Sequence, residues 1–545
     1  MAIGSHRMQR DLDALGGRTF DLLVVGGGIH GLTIACDAAG RGLSVALVER
    51  GDFGCGASFN HLRTIHGGLR YLQSLDIGRA RESIRERRTL ARIAPHAVRP
   101  LPFALPLYRS LLRGKLAMRA GFLLDRVVAA GRNRGVPASA RLPGGHVVSR
   151  GDAVQRFPGL RRQGLTGAAV WHDYVTPESD RLTFAWAIAA AEHGATLANY
   201  VDVVRPVVSG GRAGAVEARD TLTGRPLEIA ARVTVIAAGG GADAILTPLG
   251  IPSIGPVLKA MNLVTRRDAG EEALGGRSRS GRYLFLVPWR ERALFGTWES
   301  PSDSGPADLP VTEADVRAFV GELNEAFPSL DLTLDDVTLV HRGVVPAVRR
   351  GDGRLTLDSR ERIRDHAADG IEGLISVAGT KYTTARAIAE RVTDRVMAAL
   401  GRPRGSCRTA TTPLPGGSAR DVMLTIAEAR RDHDEGLPAD TIPHLVMAYG
   451  SRFRDVLDLA GERTDLRTAV DRSFPVIGAE IVWAARHEMA PTLADIVIRR
   501  TPLGALGEPD PAALERASLL AAAELTWDDE RRRQEIAAVR EFYRR

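Results

Sequence analysis

The sequence has few cysteines for its length: 545 residues contain Cys36, Cys55 and Cys407. Because they are odd in number and widely spaced, they exclude a disulfide framework and do not have the spacing of a zinc site. We therefore expect no metal site. The thiols are expected to be small buried residues in a reducing compartment.

Long hydrophobic runs are also missing. No apolar stretch approaches the ~18 residues that a membrane-spanning helix needs. The longest candidate, residues 182–191, is rich in alanine and is followed by Glu192 and His193. Residues 1–19 are polar and lack the apolar core of a secretory leader. We expect a cytoplasmic protein and leave open a peripheral contact with the inner face of the membrane.

The sequence has only a small excess of positive charge. The chain has 73 Lys and Arg against 65 Asp and Glu, a net charge of +8. Basic and acidic residues alternate, as in Arg79-Ala80-Arg81-Glu82, which is typical of solvated helix faces. No array of aromatic side chains accompanies the basic residues, so nucleic acid is not an expected partner. Attraction to small anionic substrates or lipid head groups agrees with this charge.

A glycine-rich turn near the N-terminus carries the strongest local signal. Residues 20–25 predict a short buried strand, residues 26–31 read Gly-Gly-Gly-Ile-His-Gly, and residues 32–40 predict a helix. A second apolar strand, residues 43–48, ends at Glu49. The order of strand, turn, helix, strand and acid predicts a dinucleotide-binding unit.

Each residue of this pattern has a physical task. Gly26 permits the tight turn, Gly28 lets the backbone approach a pyrophosphate, and Gly31 lets the helix lie close to the sheet. The helix N-terminus offers free N–H groups to phosphates. Glu49 is suited to accept hydrogen bonds from a ribose, which disfavours NADP but does not separate NAD from FAD.

Further motifs separate these two cofactors. Residues 65–72 read Ile-His-Gly-Gly-Leu-Arg-Tyr-Leu, residues 379–384 read Gly-Thr-Lys-Tyr-Thr-Thr, and residues 495–503 read Asp-Ile-Val-Ile-Arg-Arg-Thr-Pro-Leu. With the glycine-rich turn, they resemble the FAD-dependent glycerol-3-phosphate dehydrogenases of the D-amino-acid-oxidase-like flavoproteins, essentially from end to end. The resemblance implies an α/β fold: a Rossmann-like FAD-binding domain, an inserted α+β substrate domain and a helical C-terminal domain.

Apolar patterns predict strands at residues 196–204, 257–265, 282–288, 292–297 and 374–378 and a helix at residues 179–192. The resemblance and the turn-rich segments together divide the chain. The FAD-binding domain is expected to be discontinuous, over residues 18–95, 150–255 and 340–402. The substrate or cap domain is expected over residues 96–149 and 256–339. Residues 403–417, rich in Pro, Gly, Ser and Thr, predict a linker, and residues 418–545 are expected to form the helical C-terminal domain.

The resemblance also implies site residues. The expected catalytic residues are Arg70, His66, Arg360 and Lys381. His66 is the best-placed proton acceptor and His30 the other candidate, while His66 could equally be a hydrogen-bonding neighbour of the flavin or a structural partner. The expected substrate contacts are Arg70, Tyr71, Asn262, Arg360 and Lys381, whose cations and phenol would form an anion pocket. Expected FAD contacts are Gly26, Gly28, Ile29, His30, Gly31, Glu49, Arg50, Ser58, Arg63, His66, Gly67, Gly68, Val203, Gly239, Gly379, Thr380, Lys381 and Thr383.

Three departures from the family pattern concern the substrate. The serine-rich flavin loop of the family is Ser-Phe-Asn-His-Leu-Arg here, over residues 58–63. Val345 stands where the family has an arginine, and Asn262 stands where it has a histidine. Because a phosphate needs surrounding donors, we expect weakened use of glycerol-3-phosphate unless Arg342 or Arg349 replaces the missing cation.

The sequence therefore predicts an FAD-dependent oxidoreductase. The expected reaction converts a secondary alcohol of a small anionic substrate into a ketone by hydride transfer to FAD, with glycerol-3-phosphate yielding dihydroxyacetone phosphate, or a related compound reacting. Electrons would leave to a quinone, another carrier or oxygen, and a homodimer is left open. Two alternatives stand: a flavin oxidase or dehydrogenase for a different hydroxy or amino substrate, and a flavoprotein without turnover that has a binding role.

Overall fold

The computed structural model describes residues 7–69, 71, 75–110, 114–157, 159–300, 311–419, 421–433 and 436–544. Their strands are β1 (Phe20–Val25), β2 (Val45–Val48), β3 (Thr64–Ile65), β4 (Arg99–Tyr108), β5 (His146–Val148), β6 (Leu165–Val175), β7 (Thr196–Ala198), β8 (Val201–Ser209), β9 (Arg212–Asp220), β10 (Pro226–Ile236), β11 (Val257–Thr265), β12 (Ala273–Arg277), β13 (Tyr283–Trp289), β14 (Arg292–Glu299), β15 (Val337–Arg349), β16 (Leu355–Leu357), β17 (Arg362–Asp365) and β18 (Leu374–Ala378).

The α-helices cover the sheets and form most of the C-terminal region. They are α1 (Leu12–Gly16), α2 (Ile29–Gly40), α3 (Ile77–Ile93), α4 (Lys115–Val128), α5 (Arg150–Arg156), α6 (Ser179–Glu192), α7 (Ala242–Leu246), α8 (Glu313–Ala326), α9 (Ala385–Ala399), α10 (Val422–His433), α11 (Thr441–Tyr449), α12 (Phe453–Ala460), α13 (Gly478–His487), α14 (Pro511–Leu525) and α15 (Asp529–Tyr543). A π-helical segment, Asp495–Arg500, lies between α13 and α14.

The first sheet is mainly parallel. Strands β18, β10, β1, β2 and β7 lie side by side in that order, and β17 runs antiparallel at the edge. Leu22, Leu23 and Val24 of the central β1 are fully buried, as is typical of a parallel strand covered on both faces. Parallel strands end at the same edge of a sheet, so the glycine-rich turn after β1 and Glu49 after β2 come together there.

The second sheet is mixed and larger. Its order is β16-β15-β11-β14-β13-β12-β4-β6-β3, with β5 paired to β6. Helix α8 covers one face, where Phe319 and Leu323 share a buried cluster with Met261 and Phe295. The strands predicted near residues 257–265, 282–288 and 292–297 are confirmed to within two residues at each end.

Four strands from the expected FAD-binding domain belong at least in part to the second sheet: β3, β6, β15 beyond residue 340, and β16. β6 pairs with β4, and β15 pairs with β11 beyond residue 340. The expected boundaries at residues 150 and 340 therefore do not coincide with the division between the sheets. Pairing between strands distant in sequence decides this division, and no local pattern reveals it.

The segment after α6 was expected to be one strand, residues 196–204, and forms two. Tyr200 has a positive φ of 57° and interrupts the strand. β7 before it pairs with β2, whereas β8 after it pairs with β9. The turn at Tyr200 is thus where the chain leaves the parallel sheet.

The expected burial of the thiols is correct for one residue. Cys36 is buried, whereas Cys55 and Cys407 are partly exposed. The spacing of the cysteines in the sequence does not distinguish a buried thiol from a partly exposed one.

Residues 403–417 contain neither helix nor strand but are packed, since the N–H of Leu414 donates to the carbonyl of Ile93 at 2.9 Å. The helices after them form their own hydrophobic core, which includes Phe453, Ile477 and Leu514. This agrees with the expected helical C-terminal region.

Candidate active site

The glycine-rich turn joins β1 to α2 at the centre of the first sheet. Gly26 has a φ of +109°, and a Cβ there would lie 2.7 Å from the carbonyl oxygen of Ala237. A Cβ on Gly31 would lie 1.8 Å from the carbonyl oxygen of Gly26, so the close packing of helix and strand requires glycine. A Cβ on Gly28 would meet one atom of the described residues, Oγ of Ser58, at 3.3 Å. The backbone at Gly28 therefore stays accessible to a ligand.

Glu49 faces this turn from the end of β2. Its Oε2 accepts the N–H of Gly27 at 2.6 Å, and its Oε1 accepts the N–H of Gly51 at 2.9 Å. Burial raises the pKa of this carboxyl. The position is that of the ribose-binding acid in a dinucleotide fold.

Three other expected FAD contacts surround this edge of the sheet. Arg50 follows Glu49 and is exposed, whereas Val203 is buried in β8. Gly239 follows β10 with a φ of +56°, and a Cβ there would have no described heavy atom within 4 Å.

The flavin loop, residues 58–63, bridges the two sheets. Oγ of Ser58 accepts the N–H of Ile29, the first residue of α2, at 2.9 Å. The carbonyl oxygen of Asn60 accepts a hydrogen bond from Nδ2 of Asn262 at 3.0 Å. The loop thus contacts α2 on one side and β11 on the other.

Arg63, an expected FAD contact, is buried inside the protein. Its guanidinium donates to Oγ of Ser179 and to Oδ2 of Asp180, the latter at 3.2 Å, and lies 4.0 Å from the ring centroid of Trp289. These contacts fasten the end of the flavin loop to α6. His61 stacks on Tyr382 at 4.7 Å, and burial lowers its pKa to about 3.

His66 lies just after the flavin loop with a half-exposed side chain. Its Nε2 is 2.8 Å from Oγ1 of Thr64, and its Nδ1 is 4.0 Å from Oδ2 of Asp173. Oδ1 of Asp173 accepts the N–H of Gly67 at 2.6 Å and pairs with the buried Arg87. A Cβ on Gly67 would lie 2.2 Å from the Arg87 guanidinium, so glycine is required beside this ion pair.

Lys381 meets Tyr71 on the other side of the same turn. Nζ of Lys381 is 4.4 Å from the ring centroid of Tyr71 and donates to Oγ of Ser83 at 2.9 Å. Gly68, with a φ of +77°, leaves room for Tyr71 and Ser83. Arg79 lies 5.8 Å from the same ring and donates to Oγ of Ser359. These side chains form a cationic cluster around Tyr71.

Arg70 and Arg360 are the two other cationic residues that were expected to contact the anionic substrate. Arg70 lies outside the described residues. Arg360 is exposed, next to the Ser359 that Arg79 contacts, and its N–H donates to Oδ1 of Asp358 at 3.1 Å.

The segment at residues 379–384 brings several expected residues to the start of α2. A Cβ on Gly379 would lie 3.2 Å from the ring of His30. Oγ1 of Thr380 donates to the carbonyl oxygen of Asp358 at 2.7 Å. Oγ1 of the buried Thr383 accepts the N–H of His66 at 3.2 Å. The motifs near residues 30, 66 and 380 are therefore in contact.

The structure shows the surroundings of the altered positions. The side chain of Asn262, an expected substrate contact, is buried between Asn60 and Thr297, whose Oγ1 donates to it at 2.9 Å. Arg342 and Arg349, the candidates to replace the missing cation, both have backbone hydrogen-bond partners elsewhere. The Arg342 guanidinium reaches the carbonyl oxygen of Phe542 at 3.5 Å, and that of Arg349 reaches Gly353 at 3.0 Å.

Sequence reasoning missed four residues of this region: Arg79, Ser83, Arg87 and Asp173. The first three occupy α3, which the alternation of Arg and Glu predicts as a solvated helix face. Only contact with residues 66–71 distinguishes them, and that contact depends on the tertiary structure.

The residues near the glycine-rich turn fit a dinucleotide. In the described part of the chain, Nε2 of His30 is buried without a hydrogen-bond partner, and the backbone at Gly28 and Gly239 is open. Burial lowers the pKa of His30 to about 4, so its ring is neutral near pH 7. Open glycines and a helix N-terminus beside Glu49 are the groups that a pyrophosphate and a ribose require, and the unpartnered Nε2 of His30 is a further polar atom beside them.

Two protein families match the chain. FAD dependent oxidoreductase (DAO) matches residues 21–395, and the C-terminal domain of alpha-glycerophosphate oxidase matches residues 407–532. Together they cover the sheets and the helical C-terminal region.

Comparison with individual proteins gives the same family. The chain is 30% identical to a glycerol-3-phosphate dehydrogenase of Synechocystis, over 91% of this chain and 90% of the relative. It is 32% identical to the mitochondrial glycerol-3-phosphate dehydrogenase of Bos taurus, over 96% and 73%. The solved glycerol-3-phosphate dehydrogenase of Bacillus halodurans, complexed with FAD, superposes with a TM-score of 0.76 at 25% identity, covering 98% of this chain and 96% of that one.

Proposed function

Because the chain belongs to the FAD-dependent oxidoreductase family that includes the glycerol-3-phosphate dehydrogenases, we propose that it oxidises the secondary alcohol of a small anionic substrate, with glycerol-3-phosphate as the first candidate. The observation that carries this proposal is the meeting of Lys381 and Tyr71 beside His66. Lys381, a cation suited to bind an anion, and His66, a candidate proton acceptor, thus lie on either side of the turn that follows the flavin loop.

The first sheet is the proposed FAD-binding unit. Gly26, Gly28 and Gly31 with the start of α2 would hold the pyrophosphate, and Glu49 the ribose. The flavin loop, Gly379 and Thr383 would surround the ring system. Bound FAD supplies the hydride acceptor, which leaves binding, orientation and proton transfer to the protein.

His66 is the proposed acceptor of the hydroxyl proton. Its side chain is half exposed, so a substrate can reach it, and Thr64 and Asp173 lie at its two ring nitrogens. Asp173 is itself held by Arg87 and by the N–H of Gly67, so its carboxylate is fixed. A fixed carboxylate near one nitrogen of an imidazole orients the ring and favours proton uptake at the other.

Lys381, with Arg360 near it, is proposed to bind the anionic group, and the resemblance adds Arg70, which lies outside the described residues. Lysine offers a point charge, and its Nζ already lies at the junction of Tyr71 and Ser83. The family arginine replaced by Val345 would have added a forked donor. A substrate with fewer acceptor oxygens or a larger apolar part is therefore the second candidate.

The test is anaerobic reduction of the enzyme-bound flavin, followed by absorbance. Glycerol-3-phosphate is compared with glycerol, other hydroxy acids and small amino acids at equal concentrations. Rapid bleaching by glycerol-3-phosphate supports the first candidate, and bleaching by another compound supports the second. A flavoprotein that none of them reduces would instead have a binding role.

We further propose that α4 contacts the inner face of a membrane. Leu116, Leu123 and Val127 are 79%, 65% and 67% exposed, and they share one helical face. Lys115 and Arg126 flank them, which is the composition of a helix lying on anionic lipid. Within the described residues, the helices are too short or too polar to cross a bilayer.

A groove of about 1980 Å³ between α4 and α8 opens beside this face and includes Met118, Leu124 and Phe327 in its lining. A membrane-borne quinone would fit its apolar walls, which favours a quinone as electron acceptor over a soluble carrier. The double variant Leu116→Asp with Leu123→Asp should lose binding to anionic vesicles while retaining FAD. Unchanged binding would exclude this face.

A further inference from the structure

The motif at residues 495–503 has no part in the proposed chemistry, yet it contacts the first sheet. Asp52 is fully buried three residues after Glu49. Arg500, at the end of the π-helical segment, donates to both carboxylate oxygens of Asp52, at 2.7 and 2.8 Å. Arg499 donates to Oδ2 of Asp52 at 2.7 Å. Two consecutive arginines of the C-terminal domain therefore hold one carboxylate of the FAD-binding unit.

A second contact reaches the same loop from the other side. Oη of Tyr200 donates to Oδ1 of Asp495 at 2.7 Å, and the N–H of Tyr200 donates to the carbonyl oxygen of Gly51 at 2.9 Å. Tyr200 is the residue whose left-handed backbone separates β7 from β8. The π-helical segment thus contacts residues 51–52 directly through its arginines and indirectly through this tyrosine.

These contacts continue to the glycine-rich turn. The N–H of Gly51 donates to Oε1 of Glu49, and Oε2 of Glu49 accepts the N–H of Gly27. An unbroken series of hydrogen bonds and covalent bonds therefore runs from Arg500 through Asp52 and Gly51 to the acid expected at the ribose.

Stability alone is a weak reason for this arrangement. A buried ion pair loses about as much free energy by desolvation as it gains, and an apolar replacement is often as stable. The ion pair instead fixes the orientation of the Asp52 side chain, because a bidentate guanidinium holds the plane of the carboxylate. Arg500 is fixed in turn by the carbonyl of Glu488 and by the ring of Phe184, 3.9 Å from its Cζ.

We propose that Arg500, acting through Asp52, is a positioning residue for Glu49, so that the C-terminal domain sets the affinity for FAD. The inference depends on FAD binding by the family and not on the identity of the substrate. Neither Arg500 nor Asp52 touches the cofactor in this account.

The matched control is Arg181, which makes the same kind of contact across the same interface. Arg181 of α6 donates to both carboxylate oxygens of Glu488, at 2.5 and 2.8 Å, whereas Arg500 contacts the backbone carbonyl of Glu488 and not this carboxylate. Arg500→Gln leaves Asp52 with Arg499, and Arg181→Gln leaves Glu488 with Nε1 of Trp483. Each variant therefore loses one bidentate arginine without leaving a carboxylate unpaired.

The experiment measures FAD release from the purified full-length holoenzyme by the rise in flavin fluorescence on dilution, together with Tm. Arg500→Gln should raise the FAD Kd at least about fivefold, the lower end of coupling between sites. Arg181→Gln should lower Tm to a similar extent and leave the FAD Kd unchanged. Arg500→Lys should recover part of the affinity, and the substrate KM at saturating FAD should stay that of the wild type.

Equal FAD release from the wild type and Arg500→Gln would overturn the proposal, as would equal loss in Arg500→Gln and Arg181→Gln. If either variant fails to fold, Tyr200→Phe removes one hydroxyl from the same connection and should still accelerate FAD release. An unchanged rate in Tyr200→Phe would then overturn it. Failure of the proposed reaction is a separate result: a yellow holoenzyme that glycerol-3-phosphate does not bleach.

Discussion

Oδ2 of Asp173 lies 4.0 Å from Nδ1 of His66. The carboxylate is buried and its other oxygen is occupied by Gly67 and Arg87, whereas the imidazole is half exposed. The fixed carboxylate of Asp173 therefore lies near the accessible ring of His66. This relationship supports the proposal that His66 is the proton acceptor, and it leads to the first prediction.

His66→Gln should lower kcat by about 10²-fold or more, the usual contribution of a positioned base, while FAD stays bound. A base works unprotonated, so wild-type kcat should fall as the pH is lowered, and this fall should disappear in the variant. The control is His172→Gln, since His172 precedes Asp173 in β6 and points to the opposite face. A pH profile of kcat identical in wild type and His66→Gln would remove His66 from proton transfer.

The second prediction concerns the glycine-rich turn. Gly28→Val should abolish FAD binding because the branched side chain would meet Ser58 and block the approach to the backbone. The measurement is the ratio of flavin to protein absorbance after purification. Gly321→Val is the control, since a Cβ at Gly321 in α8 has no described neighbour within 4 Å. Stoichiometric FAD in Gly28→Val would show that the phosphates bind elsewhere.

The third prediction tests the cation beside Tyr71. Lys381→Met should reduce kcat/KM for glycerol-3-phosphate on the order of 10²-fold, as loss of a desolvated charged partner does. The chain contains two other lysines, Lys115 and Lys259. Lys259→Met is the control because Lys259, in β11 of the second sheet, pairs with Asp315 of α8. Steady-state kinetics on FAD-saturated enzyme make the comparison, and wild-type kinetics in Lys381→Met would exclude a role in substrate binding.

The fourth prediction concerns specificity. Val345→Arg should improve kcat/KM for glycerol-3-phosphate about tenfold, the effect of one hydrogen bond to a charged group, because Arg342 and Arg349 are engaged elsewhere. Asn262→His should not be combined with it, since Asn262 holds the flavin loop through Asn60. If the wild type already turns over glycerol-3-phosphate at ~10⁴ M⁻¹s⁻¹ or above, the missing arginine is not limiting.

The fifth prediction is a dependence of stability on pH. Burial lowers the pKa of His96 to about 4, below its ordinary value of 6.5. Between these values the unfolded chain binds a proton that the folded chain does not, so this group stabilises the fold at neutral pH and loses the effect as the pH falls. From pH 7 to 5 the free energy of unfolding should fall about 2 kcal/mol more in the wild type than in His96→Phe.

Urea titrations at the two pH values measure this difference. The exposed His146 provides the control, because His146→Phe should leave the dependence of the wild type intact. A parallel fall in wild type and His96→Phe would mean that other groups cause the loss of stability in acid.

Local patterns predicted much of the secondary structure. The strands at Phe20–Val25 and Leu374–Ala378 and the helix at Ser179–Glu192 have the expected bounds. Each of these segments has an apolar or amphipathic pattern that ends at a turn-forming or charged residue. Residues close in sequence are therefore enough to predict it. The glycine-rich turn was also recognisable, since only glycine satisfies its contacts.

What could not be predicted depends on partners distant in sequence. Arg63 and Arg342 are indistinguishable by type from the many surface arginines, yet one is buried against Trp289 and the other reaches the last helix. The contact between Asn262 and Asn60, 202 residues apart in the sequence, is likewise visible only in the folded chain. Such assignments require the pairing of the two sheets, which is a property of the whole chain.

The strand order of the first sheet has a consequence for synthesis. β1 begins at residue 20, but its neighbour β10 begins at residue 226, and β18 ends at residue 378. A ribosome therefore releases the nucleotide-binding turn long before the sheet that supports it is complete. Contacts so distant in sequence form slowly, and we expect the nascent chain to acquire its cofactor only after residue 378 has been synthesised. Translation that stalls before residue 378 should leave colourless, protease-sensitive fragments.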